Sequence, residues 1–128
     1  MAGAKKKASE PTEEEIVKGL LKAIEKEFGE VPFVSNLLSS YPDIFIPYAN
    51  LTDRVLTSPR HMDKKSVELA AIAAGSALRG EHCLGVHIRQ ARKFGATKEE
   101  IMEAAMVGSF MAMTAAQSVV FRKIKDVG

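Results

Sequence analysis

Three residues of this 128-residue chain have side-chain types and spacing that could do chemistry: Glu68, Cys83 and His87. Glu68 is the only ionisable residue in VELAAIAAGSAL, residues 67–78. A helix that is apolar on nearly all sides is a buried helix. A buried carboxylate is costly unless it is hydrogen-bonded or held neutral. Glu68 is therefore either a paired interior carboxylate suited to proton chemistry, or a residue that faces solvent or pairs with a nearby Arg or Lys. Cys83 and His87 lie four residues apart in EHCLGVH, residues 81–87, and so share one face of a helix. An imidazole in that place can take the thiol proton and leave a nucleophilic thiolate. Cys83 also falls in the first turn of its helix, where free N–H groups favour an anion, although Glu81 opposes it. The plain alternative is a structural Cys beside a satisfied core His.

A metal reading uses the same residues. His82, Cys83, His87 and Glu68 would make an acceptable zinc ligand set. Adjacent residues on a helix point about 100° apart, however, so His82 and Cys83 do not easily converge on one ion. No metal and no other cofactor is expected. With one Cys in the chain, neither an intramolecular disulfide nor an all-Cys site is available, which suits a reducing, cytoplasmic setting.

Helices must position these groups. There are no Trp and only eight aromatics, while Ala and Met are frequent, which favours helix over sheet. Thr12 with Glu15 forms a capping-box pattern, followed by Ile16, Leu20, Ala23, Ile24 and Phe28 at helical spacing, with Gly29 as a stop. Residues 33–40 and 43–57 read as two further helices, the second with Pro42 before it and Pro47 near its start. Asp63 is expected to cap a helix running to Arg79, ended by Gly80; another runs from Glu81 to Gly95. A second capping box, Thr97 with Glu100, opens the last helical stretch. Within it Ala104 to Phe121 is long enough to span a membrane, but its Gly, Ser, Thr and Gln residues favour a buried or subunit-interface helix, broken near residues 108–114. No membrane association is expected.

The net charge of +2 belongs to residues 1–11, where Lys5, Lys6 and Lys7 face Glu10; the rest of the chain balances 15 basic against 15 acidic residues. Nucleic-acid binding by the folded part has little electrostatic support, and none is expected. Residues 1–11 read as a disordered basic tail and 12–128 as one helical domain.

The segment SVELAAIAAGSALRGEHCLGVHIRQARKFGATKEEIMEA, residues 66–104, resembles the carboxymuconolactone decarboxylase family and its alkylhydroperoxidase D (AhpD)-like members. The Gly-Ala-Thr-x-Glu-Glu-Ile run after the Cys–His helix is typical of it. The AhpD-like pattern is Cys-x-x-Cys-x-x-x-His with a His before the second Cys and a Glu nineteen residues before the final His. Cys83, His82, His87 and Glu68 fall on those positions, and Gly80 falls where the first Cys would be. The resemblance implies an all-α fold of six or seven helices with a central antiparallel pair around Gly80, assembled into a homotrimer or homohexamer. It implies a thiol peroxidase with Cys83 as nucleophile, His87 as proton acceptor, Glu68 orienting it and His82 as auxiliary acid or base. Without a Cys at residue 80 the reductant must be an external thiol. The runner-up is a lactone-processing decarboxylase using Glu68 and His87; the third reading is a non-catalytic scaffold whose site has decayed. Spacing alone does not bring the site together. A plain antiparallel hairpin would leave Glu68 roughly 18 Å from the turn and His87 roughly 10 Å from it.

Overall fold

A computed structural model of the chain describes residue 3 and residues 9–128. Most of the basic tail, Lys5–Lys7 included, lies outside the described residues. Among those residues there are six α-helices and no strand, so the chain is all-α. They fall into two compact units divided after Thr52.

In the first unit, α1 spans Glu13–Phe28 and opens with the expected reciprocal cap. Glu15 N–H donates to Thr12 Oγ1 at 3.2 Å, and Thr12 N–H donates to Glu15 Oε2 at 3.3 Å. Gly29 ends it at φ 77°, a left-handed conformation that suits a residue without Cβ. Val17, Ile24 and Phe28 form its buried stripe. Two shorter helices follow, α2 over Phe33–Leu38 and α3 over Pro42–Thr52, and α1 and α2 both pack on α3. Phe45 and Ala49 of α3 are buried. The single helix expected over 43–57 stops at Thr52. Residues Asp53–Thr57 instead form a π-helical turn, closed by Ser58 N–H on Asp53 O at 2.7 Å. Ser58 Oγ also bonds Asp53 Oδ1, and Pro59 bars further helix.

The second unit is built on α4, Lys64–Leu78, which packs against both α5, Glu81–Lys93, and α6, Lys98–Lys125. Asp63 caps α4 as expected, its carboxylate accepting from Ser66 N–H at 2.7 Å. The helix ends one residue early. Arg79, not Gly80, takes the left-handed conformation at φ 57° and ψ 39°, at a cost of about 1 kcal/mol for a side chain with a Cβ. Gly80 has an ordinary φ of −79° and serves as the first cap of α5. The core gathers Ile72 of α4, Ala91 of α5 and Ala96, with Leu69, Leu84, Ile101, Ala104 and Ala105 packed around them.

The last stretch differs most from expectation. It is one unbroken helix of 28 residues opened by the Thr97–Glu100 box, and Gly108 is its only buried residue. Gly108 is not a hinge. A Cβ built there would lie 1.9 Å from the carbonyl oxygen of Ala73, so the missing side chain lets the backbones of α4 and α6 touch. Hydroxyls in the same stretch are satisfied within the helix: Ser109 Oγ donates to Ala105 O, and Thr114 Oγ1 to Met111 O. Lys65 of α4 adds an ion pair to Glu100 of α6 at 2.9 Å. Its hydrogen bond holds the Glu100 carboxyl below the usual range, helped by the Thr97 N–H, and the Ser66 N–H does the same for Asp63.

Three outcomes follow for stability. Gly108→Ala must push two backbones apart and should cost about 3 kcal/mol in urea unfolding. Gly85→Ala, where a Cβ meets nothing closer than the Arg89 guanidinium at 3.6 Å, should be neutral or raise stability by about 0.5–1 kcal/mol through helix propensity. Because Asp63 and Glu100 are depressed in the fold, their contribution is present above the normal carboxylate range and is lost as pH falls through the folded values. The urea midpoint should drop on acidification below about pH 4, and less so in Glu100→Gln.

Candidate functional site

The site lies wholly in the second unit and is assembled by α4 and α5. Glu68 sits in the second turn of α4 and is 1% exposed, because α4 is covered by both neighbouring helices. Its Oε2 lies 2.7 Å from His87 Nδ1 on α5, whose side chain is 13% exposed. This length is typical of a charge-assisted bond. In the tautomer with the proton on Nδ1, His87 Nδ1–H donates to the Glu68 carboxylate oxygen. The ring is thereby oriented with Nε2 away from Glu68. The contact replaces the gap of about 8 Å that a plain hairpin would leave. Gly75 helps the two helices close: a Cβ there would meet Leu84 Cδ2 at 3.0 Å.

Cys83 is exposed and lies one helical turn before His87, on the same face of α5. Among the described residues no hydrogen bond joins its sulfur to His87 or to any other group. His82 is exposed as well. The structure thus brings Glu68 and His87 into direct contact, and leaves Cys83 and His82 at the surface of the same helix. The first turn of α5 has no side-chain cap, since its cap residue is Gly80. A Cβ built on Gly80 would sit 3.7 Å from Cys83 Cβ, within the range of a disulfide. Among the described residues, no three His, Cys, Asp or Glu side chains converge as a metal site would require.

One residue escaped the sequence reading. Gln90 is 3% exposed, three positions after His87, and its Nε2 has no hydrogen-bond partner among the described residues. Its spacing from His87 was a visible signal, but Gln within IRQARK reads as part of a solvated face.

Removing one member of the Glu68–His87 pair should cost more than removing both. His87→Leu strands the carboxylate and should lose about 3 kcal/mol, whereas Glu68→Gln, which can still accept from Nδ1–H, should lose about 1 kcal/mol. The double change Glu68→Leu/His87→Leu should recover most of the loss in urea unfolding. Strict additivity of the Glu68→Leu and His87→Leu single losses in that double change would show that the bond is absent in solution.

Comparison with known proteins identifies the family. The sequence model of the carboxymuconolactone decarboxylase family matches residues 42–126. The chain is also similar to a protein from Paracoccus denitrificans described as uncharacterized protein 4 in the cox locus, with 35% identity over 63 residues. That match takes in 49% of this chain and 57% of the relative. No solved structure matches significantly. The family match covers α3 to α6 and every residue of the candidate site, and on that ground the chain belongs to the carboxymuconolactone decarboxylase family.

Proposed function

We propose that the chain is a single-cysteine thiol peroxidase of the AhpD-like type, working in the cytoplasm with an external thiol as reductant. The supporting observation is the 2.7 Å bond between buried Glu68 and His87, set one helical turn from an exposed thiol. Glu68 fixes the imidazole through Nδ1 and stabilises its protonated form. Nε2 is then the nitrogen that accepts the Cys83 proton when the side chains swing together, a tightening common when substrate binds. The thiolate attacks one peroxide oxygen and breaks the O–O bond. Cys83 becomes a sulfenic acid, and the alkoxide leaves as an alcohol with the proton returned by His87. One external thiol condenses with the sulfenic acid and releases water, and a second thiol restores Cys83 as a disulfide of the reductant forms. His82, exposed on the preceding position, serves as auxiliary acid or base. The chemistry needs no prosthetic group.

A second reading rests on the absence of a bond between Cys83 and His87. In it the Glu68–His87 pair performs acid–base chemistry on a lactone or related carboxylic acid, as the family name suggests, and Cys83 is a bystander.

Peroxide consumption with dithiothreitol as electron donor separates the readings. The peroxidase requires that Cys83→Ser abolish turnover and that His87→Gln slow it about 100-fold. Turnover unchanged in Cys83→Ser would overturn it, as would none in the unaltered chain. Gly80→Cys supplies a second measure. On oxidation by one equivalent of hydrogen peroxide the introduced thiol should condense with the Cys83 sulfenic acid, expelling water and forming an intrachain disulfide. A scaffold with a decayed site would give neither turnover nor peroxide-driven disulfide.

A further inference from the structure

Cys83, His87 and Gln90 follow one another on α5 at steps of four and three. At about 100° per residue the three side chains leave the helix within an arc of about 60°, as one stripe. Exposure falls along it. The thiol is exposed, the His87 side chain is 13% exposed and Gln90 is 3% exposed. Gln90 is as deeply buried as Val86 one turn before it, yet its Nε2 donates to nothing among the described residues. A buried donor left unmade costs stability, and Leu or Met would fill the same place without that cost. Side chains on a helix lean toward its N-terminus, so the Gln90 amide lies over the turn that carries His87. An unspent donor beside the imidazole calls for an acceptor that arrives with a ligand.

We infer that Gln90 is a further catalytic residue, whose Nε2–H donates to the leaving oxygen of the peroxide as negative charge builds there; this rests on the peroxidase reading of the site. The stripe puts the nucleophile at its outer end, the proton carrier in the middle and a neutral donor at the inner end. Helical rise separates Cys83 from His87 by about 6 Å and from Gln90 by about 10 Å. A peroxide lying along the stripe is attacked in line, so its leaving oxygen is on the side away from sulfur. That side is over His87, toward the Gln90 amide. The Cys83 thiolate bonds to the near oxygen as the O–O bond breaks, and the electrons of that bond pass to the far oxygen. Gln90 holds this oxyanion until the His87 imidazolium delivers its proton. The products are the Cys83 sulfenic acid and water or an alcohol, and the amide keeps its own protons throughout. A fixed donor in a place shielded from water stabilises such charge far more than one in water. A neutral donor also suits this place, because a cation there would compete with His87 for Glu68. Were the amide there to hold the buried pair, it would bond Glu68 or His87; Nε2 bonds neither.

Two rates on the full chain separate this donor from the activation of the thiol itself. Sulfenic-acid formation, trapped with dimedone, requires an oxygen leaving group; alkylation by iodoacetamide requires only the thiolate. Gln90→Leu and Gln90→Met should each slow single-turnover oxidation by hydrogen peroxide on the order of 100-fold. The alkylation rate and its pH profile should stay unchanged, and the thermal midpoint should hold or rise, since the amide lost had no bond. With peroxyacetic acid the leaving group is acetate, a much weaker base that needs less help, so the loss should shrink to below about 10-fold. Equal hydrogen peroxide rates in the unaltered chain and both variants would overturn the inference. So would the same loss with both oxidants, or a parallel loss in alkylation, which would make Gln90 a support of the Glu68–His87 pair. Absence of sulfenic acid from the unaltered chain would end the peroxidase reading itself, and the inference with it.

Discussion

A carboxylate that is 1% exposed needs a partner, and Glu68 finds it in one imidazole at 2.7 Å. Much of the second unit serves that contact. The interior position of Glu68 exists because α4 is packed on two sides at once. That double packing depends on small residues. Gly108 lets α6 touch the α4 backbone, and Gly75 lets Leu84 of α5 come close. The carboxylate and imidazole then fix the α4–α5 register, since a polar bond in an apolar interior tolerates little displacement. A purely apolar contact there would have packed as well, but it would have oriented no ring nitrogen.

The local signals in the sequence were readable where one chemistry decides the outcome. The two Thr–Glu boxes and the Asp63 cap form because side-chain oxygens satisfy N–H groups that the helix leaves free, and each appears at its expected position. Signals decided by tertiary contacts were not readable. Gly108 looks like a break, yet it serves a helix contact, and nearby hydroxyls of α6 turn back onto the helix. Gly80 looks like the terminator of α4, yet Arg79 accepts the left-handed conformation. The residues of the site were visible one at a time. Their meeting was not, because helical rise alone leaves Glu68 and His87 apart. The family resemblance supplied it, and Gln90 went unnoticed because nothing in its neighbours marks it as interior.

The position of Cys83 separates the two proposed readings of the site. The Glu68–His87 pair is complete without sulfur and could move protons for many substrates. The thiol is placed at the surface, in a first helical turn without a side-chain cap, where a soluble oxidant can reach it. Gly80 marks the difference from a two-cysteine site. The backbone still brings residues 80 and 83 to disulfide distance, but only one of them carries sulfur. On the proposed peroxidase reading, the second redox partner comes from another molecule, and the exposure of Cys83 leaves room for it.

The central claim is that the buried pair activates the exposed thiol. Its most direct test is the single-turnover rate at which hydrogen peroxide converts Cys83 to a sulfenic acid, trapped with dimedone, in the unaltered chain and in Glu68→Gln and His87→Gln. Cys83 is the only thiol in the chain, so the signal has one source. The account predicts fast trapping that falls about 10-fold in Glu68→Gln and about 100-fold in His87→Gln, with the helical fold intact. Equal rates in all three proteins would contradict it and leave Cys83 an ordinary surface thiol.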